Sequence, residues 1–210
     1  MKPWVIRGLS RGSVTSHFPV GRPEDVPAWS TTPRRKNDMD VACPTGAVMD
    51  GGVDMSLCIS CGMCSKSFEP DGDVATSIIR HHDPTFRHSF HLYLFDAGSC
   101  GACNSEVKSL SNPVYDMSRL GMFFASNPKH ADAIIVVGVL SDGMRDALRR
   151  AYEDMPKPGL VFAVGACAIS GGIIGKSIEE VIRADVIVPG CPPNPFTILD
   201  ALIRSRGDDQ

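Results

Sequence analysis

Four of the chain's eight cysteines stand where an apolar run gives way to a turn. Cys100 and Cys103 lie in FDAGSCGACNSE, Phe95 to Glu106, which reads as a strand end, a glycine-bearing turn and a helix start. Cys167 lies in VFAVGACA and Cys191 in VIVPGCPP, each after an apolar run of four to six residues. Such runs read as strands buried in a parallel sheet. The carboxyl ends of those strands line one edge, and ligands collect in the crevice there. The four cysteines therefore converge on one point in this reading, and four thiolates at one point hold a metal centre. Gly98, Gly165 and Gly190 precede the three turns, and Gly171 and Gly172 follow Cys167. Glycine permits positive φ and lets backbone N–H groups approach a bulky anionic cluster; a bare zinc ion needs less room.

The other four cysteines lie earlier, in ACPTGAVMDGGVDMSLCISCGMCSKSF. Cys58, Cys61 and Cys64 form C-x2-C-x2-C, and Cys43 is followed by Pro44. Between them, Ala47 to Met55 has Asp50-Gly51-Gly52 at its centre and reads as a hairpin. Three thiolates at that spacing wrap one cubane and take their fourth ligand from a distant Cys-Pro. A zinc knuckle is the competing reading, although zinc sites usually pair two C-x2-C units. The segment resembles a bacterial-type ferredoxin that keeps one of its two clusters, bound by Cys43, Cys58, Cys61 and Cys64.

The 210 residues have room for one ordinary domain and a smaller module. A net charge of −3, with no basic run beyond Pro33 to Lys36, argues against a nucleic-acid partner. No apolar run approaches the roughly 18 residues of a membrane span. The segment MKPWVIRGLSRG has neither a long apolar core nor twin arginines, so a cytoplasmic setting is expected, where disulfides are rare. Residues 1–40 carry Pro3, Pro19, Pro23, Pro27 and Pro33 and read as an extended arm, either a disordered tail or a docking segment. Trp4, Val5, Ile6 and Leu9 would give it a short amphipathic element beside Arg7 and Arg11. Residues 41–84 form the cysteine-rich module and its linker. His81, His82, His88 and His91 crowd the connector; a polar linker is the plainer reading and a metal site the sharper one.

Residues 85–210 alternate strands and helices, which implies a doubly wound parallel sheet of flavodoxin type. Strands are expected at His91 to Phe95, Gly121 to Ala125, Ala131 to Val139, Leu160 to Val164 and Asp185 to Val188. One helix is expected from Cys103 to Asn112. A second is capped by Ser141, with Met144, Ala147, Leu148, Ala151 and Tyr152 at helical spacing. A closing helix has Pro195 in its first turn and Phe196, Leu199, Leu202 and Ile203 on its apolar face. The dinucleotide alternative fails because no G-x-G-x-x-G follows a strand.

Three motifs now coincide: C-x2-C with Glu106 three residues on, G-x-C-A-x-S-G-G from Gly165 to Gly172, and P-G-C-P-P from Pro189 to Pro193. Together they resemble the small, electron-transferring subunit of nickel–iron hydrogenases and its homologue in respiratory complex I, over roughly residues 91–204. Complex I subunits have adjacent cysteines where this chain has Cys100-Gly101-Ala102-Cys103, so the resemblance is to the hydrogenase branch, specifically the membrane-bound energy-converting enzymes. It implies that Cys100, Cys103, Cys167 and Cys191 ligate a proximal 4Fe–4S cluster, giving two 4Fe–4S clusters in all. It further implies a nickel–iron large subunit as partner, an electron-donor protein, and attachment to the inner face of the cell membrane through other subunits. Glu106 would be a tuning or proton-moving acid, or simply an acid favoured by the helix dipole. The alternative implication is a complex I-like subunit passing electrons to quinone.

Overall fold

The computed structural model describes residues 3–11, 18, 31–37, 41–49, 52–74 and 77–207. Pro19, Pro23 and Pro27 of the expected arm, and Asp50 and Gly51 at the hairpin centre, lie outside the described residues.

The chain begins with helix α1 (Trp4–Arg11), on which Val5, Ile6 and Leu9 are exposed. Strand β1 (Thr31–Arg35) pairs antiparallel with β4 (Phe68–Val74), and β2 (Val48–Met49) with β3 (Gly52–Val53). The latter pair is the expected hairpin. These two small sheets frame the Cys43 to Cys64 segment. Strand β1 ties part of the expected arm to the module's far end.

The remaining strands form one six-stranded sheet: β5 (Ile78–Ile79), β6 (Phe90–Gly98), β7 (Met122–Phe124), β8 (Ala133–Gly138), β9 (Leu160–Val164) and β10 (Val186–Val188). Their order is β5-β10-β9-β8-β6-β7. The last five run parallel; β5 pairs antiparallel with β10 at the edge. Counted from β6, the parallel strands follow the flavodoxin order 2-1-3-4-5, whose switch point lies between the first and third strands. Here that is the gap between β6 and β8.

Ile134, Ile135, Val136 and Val137 of β8 are all fully buried because the sheet is covered on both faces. Ile135 and Val137 face a core with Val107 of α2 (Ala102–Ser109) and Ile198, Leu199 and Leu202 of α5 (Pro195–Ser205). Ile134 and Val136 face Leu148 and Ala151 of α3 (Arg145–Asp154) and Ala168 of α4 (Ala166–Ser170). Alternation along one strand thus feeds two cores.

The sequence expectations for the five parallel strands hold to within a few residues. One cap does not. Ser141 precedes a 3-10 turn, Asp142–Met144, and its hydroxyl donates to the Ala97 carbonyl at 2.9 Å instead of capping the helix. That bond ties the β8 exit to β6, and α3 starts only at Arg145. At α5 the cap comes from Asn194, whose side chain accepts from the Phe196 N–H at 2.9 Å, with Pro195 in the first turn as expected.

Candidate metal centre

Strand β6 breaks register between Asp96 and Gly98 at its carboxyl end, and the chain turns there into α2 with Cys100 and Cys103. Gly101 enters the helix at φ 92°, a conformation that costs a side-chain-bearing residue roughly 1–2 kcal/mol. Strand β9 ends at Val164 and leads through Gly165 into α4, which carries Cys167; β10 ends before Gly190 and Cys191. The Gly165 N–H donates to Val188 O and the Ala166 N–H to Gly190 O, both at 2.9 Å, so the second and third turns are stitched together. The Cys191–Pro192 peptide is cis.

The turns meet. A Cβ placed on Gly165 would lie 2.6 Å from Cys103 Sγ, and one on Gly172 would lie 3.3 Å from Cys167 Sγ. Burial, together with repulsion from the neighbouring Cys191, Cys167 and Cys100 sulfurs, pushes the Cys103 thiol up to about 12. Burial also raises Cys167 and Cys191, with added repulsion from Cys100 in each case. Four thiols that oppose one another's ionisation ionise together only around a cationic centre, which deprotonates its thiol ligands outright. Glycines pressed against the sulfurs leave the centre more room than a side chain would. Donor chemistry and shape both fit an iron–sulfur cluster.

The other quartet is gathered differently. Cys43, Cys58, Cys61 and Cys64 all line a cavity of about 350 Å³ between the two small sheets. Burial raises Cys58 and Cys64, and Cys61 and Cys43 add to both. Cys43 is brought down to about 7: burial opposes ionisation, but the Thr45 hydroxyl and the N–H groups of Thr45, Val48 and Ala47 outweigh it. Its sulfur lies 3.6 Å from Thr45 Oγ1, and the Ser60 N–H donates to Cys58 Sγ at 3.4 Å. Donors aimed at sulfur are what a thiolate ligand set requires.

Among the described residues, no three His, Cys, Asp or Glu groups gather tightly enough to chelate one ion. His81, His82 and His88 are exposed, and His91 Nδ1 lies 3.2 Å from Asp132 Oδ2 at the opposite end of the strands. The structure does not bring the histidines together.

Glu106 sits one helical turn beyond Cys103, half-buried, and burial raises its carboxyl. Tyr115 is raised by its own burial and then by the Glu106 charge. Tyr115 packs edge-on to Phe196 at 4.9 Å, and Phe18 meets Phe196 at 5.4 Å. Arg119 Nη2 donates to the Phe18 carbonyl at 2.8 Å, so the arm touches the domain beside this acid.

Sequence reading missed Asp96. Its Oδ1 accepts the Gly98 and Ser99 N–H groups at 3.0 and 2.7 Å; its Oδ2 accepts the Ser99 hydroxyl at 2.9 Å and Asn104 Nδ2 at 2.6 Å. Burial opposes its ionisation, but these donors hold the carboxyl below the usual aspartate range. The available signal was an aspartate two residues before glycine and three before serine, a turn-forming pattern.

Among the described residues no helix is long and apolar enough to cross a membrane. A subunit of the NADH-quinone oxidoreductase of Desulfovibrio desulfuricans is 39% identical over 107 residues, 49% of this chain and 58% of that protein. "Probable membrane-bound hydrogenase subunit mbhJ" of Pyrococcus furiosus is 34% identical over 120 residues, 54% of this chain and 70% of that one. Among solved structures, one chain of the archaeal membrane-bound sulfane sulfur reductase superposes with a TM-score of 0.52 at 26% identity, covering 59% of this chain and 71% of its own. The profile of the family described as NADH ubiquinone oxidoreductase, 20 Kd subunit, matches residues 100–205, half of the chain and the whole of the Cys100 to Cys191 constellation. The chain belongs to that family.

Proposed function

We propose that this chain is the electron-relay subunit of a membrane-bound oxidoreductase complex. It passes electrons through two 4Fe–4S clusters to or from the nickel–iron site of a hydrogenase large subunit. The observation that carries the reading is the approach of Cys100, Cys167 and Cys191 to Cys103 beyond the carboxyl ends of β6, β9 and β10, inside the region the family match covers. A 4Fe–4S cluster supplies one-electron storage at a potential set by burial, net charge and hydrogen bonds to sulfur.

The chain's own residues do the rest. Cys100, Cys103, Cys167 and Cys191 would hold the proximal cluster; Cys43, Cys58, Cys61 and Cys64 would hold the second. The proximity of the two quartets supports a relay between them. Met55, from the module, lines one small recess with Pro189, Gly190, Pro192 and Pro193, and Cys58 is close enough for its charge to raise Cys191. Electrons from a donor protein would enter at the exposed Cys61 side and leave at the exposed Cys100 side. Attachment to the membrane would come through partner subunits, as the name of the Pyrococcus relative suggests.

A second reading keeps the relay but ends at quinone in a complex I-like assembly. The family description and the Desulfovibrio relative favour it; the Cys100-Gly101-Ala102-Cys103 spacing favours the hydrogenase. Metal analysis of the complex that co-purifies anaerobically with this chain separates them. Two clusters predict about eight iron atoms in this chain. Nickel near one per complex supports the hydrogenase, iron without nickel supports the quinone-linked assembly, and zinc in place of iron overturns both.

A further inference from the structure

We infer that Asp96 is the positioning residue for the Cys100 and Cys103 ligand pair, clamping the turn that carries both to the end of β6. The inference rests on the reading of this quartet as a cluster site and goes beyond it, because Asp96 is neither a ligand nor part of the three cysteine motifs.

The clamp has two jaws. Asp96 Oδ1 takes the backbone N–H groups of Gly98 and Ser99, immediately before Cys100, at 3.0 and 2.7 Å. Oδ2 takes Asn104 Nδ2, immediately after Cys103, at 2.6 Å. Ser99 bridges them: its hydroxyl donates to Oδ2 at 2.9 Å and accepts from the Gly101 N–H at 3.1 Å and from Asn104 Nδ2 at 2.7 Å. One carboxylate thus fixes the chain on both sides of the C-x2-C turn. Gly138 completes the seat: a Cβ there would stand 2.4 Å from the Ser99 nitrogen, so β8 backs directly onto the clamped turn. Groups that hold metal ligands in place typically matter by 10–100-fold in metal retention. The carboxylate also adds fixed negative charge beside the cluster, which disfavours the added electron.

The test uses the full chain in its co-purified complex, with Asp96→Ala, Asp96→Asn and Asn104→Ala. The readouts are the rate of iron loss to a chelator and the low-temperature electron paramagnetic resonance of the reduced proximal cluster. Asp96→Ala should speed iron loss from this site by about tenfold or more and broaden its signal. Asp96→Asn, which keeps an acceptor oxygen, should restore most of the retention but raise the midpoint potential. Asn104→Ala opens only the outer jaw and should fall between wild type and Asp96→Ala. Wild-type retention and line shape in Asp96→Ala would overturn the clamp, as would equal loss from both clusters, which would mean general unfolding. Wild-type protein with no cluster signal from this quartet would instead overturn the cluster reading itself.

Discussion

Gly165 and Gly62 stand beside different cysteine quartets, both at positive φ, 90° and 74°. A Cβ on Gly165 would lie 2.6 Å from Cys103 Sγ, whereas on Gly62 it would meet nothing within 4 Å. The contrast extends to whole sites. The Cys100 quartet hangs from three strands of a packed sheet, with its turns joined by bonds such as Gly165 N to Val188 O. The Cys43 quartet surrounds an open cavity and is held by short-range bonds: Cys58 N to Asp54 O, Ser65 N to Gly62 O, Phe68 N to Cys64 O. A sheet preforms its site at the cost of tight steric limits. A set of turns tolerates substitution but depends on the bound group for its order, since binding free energy then becomes folding free energy.

Iron removal should expose this difference most strongly. Chelation should strip amide protection from residues 52–74 until their opening free energy approaches zero, while residues 133–138 of β8 keep global protection. Hydrogen exchange before and after chelation reads both regions at once. Equal loss in both would mean that the sheet depends on its group as heavily as the module does.

The paired glycines give the next largest effect. Gly165→Ala forces a methyl onto the Cys103 sulfur as well as straining the backbone, so this quartet should lose its iron, about four atoms per chain. Gly62→Ala meets only the backbone penalty, about 1–2 kcal/mol, and should retain its iron. Iron content with a urea midpoint decides between them. Iron retained in Gly165→Ala would show that the sheet edge is softer than its packing implies.

The same contrast explains what was legible in the sequence. Apolar runs such as ADAIIVVGV announce buried strands because both faces of the sheet are covered, so position and even order in the chain could be read directly. The expectation that Cys100, Cys103, Cys167 and Cys191 converge came from topology alone. The edge strand Ile78–Ile79 stayed hidden because two residues carry no periodicity and the pairing partner lies over 100 residues away, at Val186 and Ile187. Ser141 looks like a cap, but a tertiary acceptor, Ala97 O, takes its hydroxyl. Asp96 offered the sequence only a turn-forming pattern, and its reach forward to Asn104 is a geometry fixed only once β6 breaks register.

Asp96 and Glu106 flank the sheet quartet with opposite electrostatics, and pH should separate them, with the smallest effect of the three. Asp96 lies exposed at the strand end, and although partial desolvation opposes its charge, its donors hold its carboxyl below the ordinary 3.8. The unfolded chain therefore binds its proton first, so Asp96 stabilises fully above that ordinary value and loses its contribution as pH falls through the lower native one. Burial raises Glu106 above 4.5, so the folded chain binds that proton more tightly. Its penalty is absent below 4.5 and grows as pH rises through the raised native value. Glu106→Gln should therefore stabilise the protein modestly at neutral pH, with the gain vanishing in acid. Asp96→Asn should destabilise at neutral pH, with the loss narrowing in acid. Urea midpoints of the iron-free variants against wild type, taken across roughly pH 3 to 8, read both slopes. Slopes of the same sign would mean that solvent, and not the Asp96 hydrogen bonds or the Glu106 burial, governs both carboxyls.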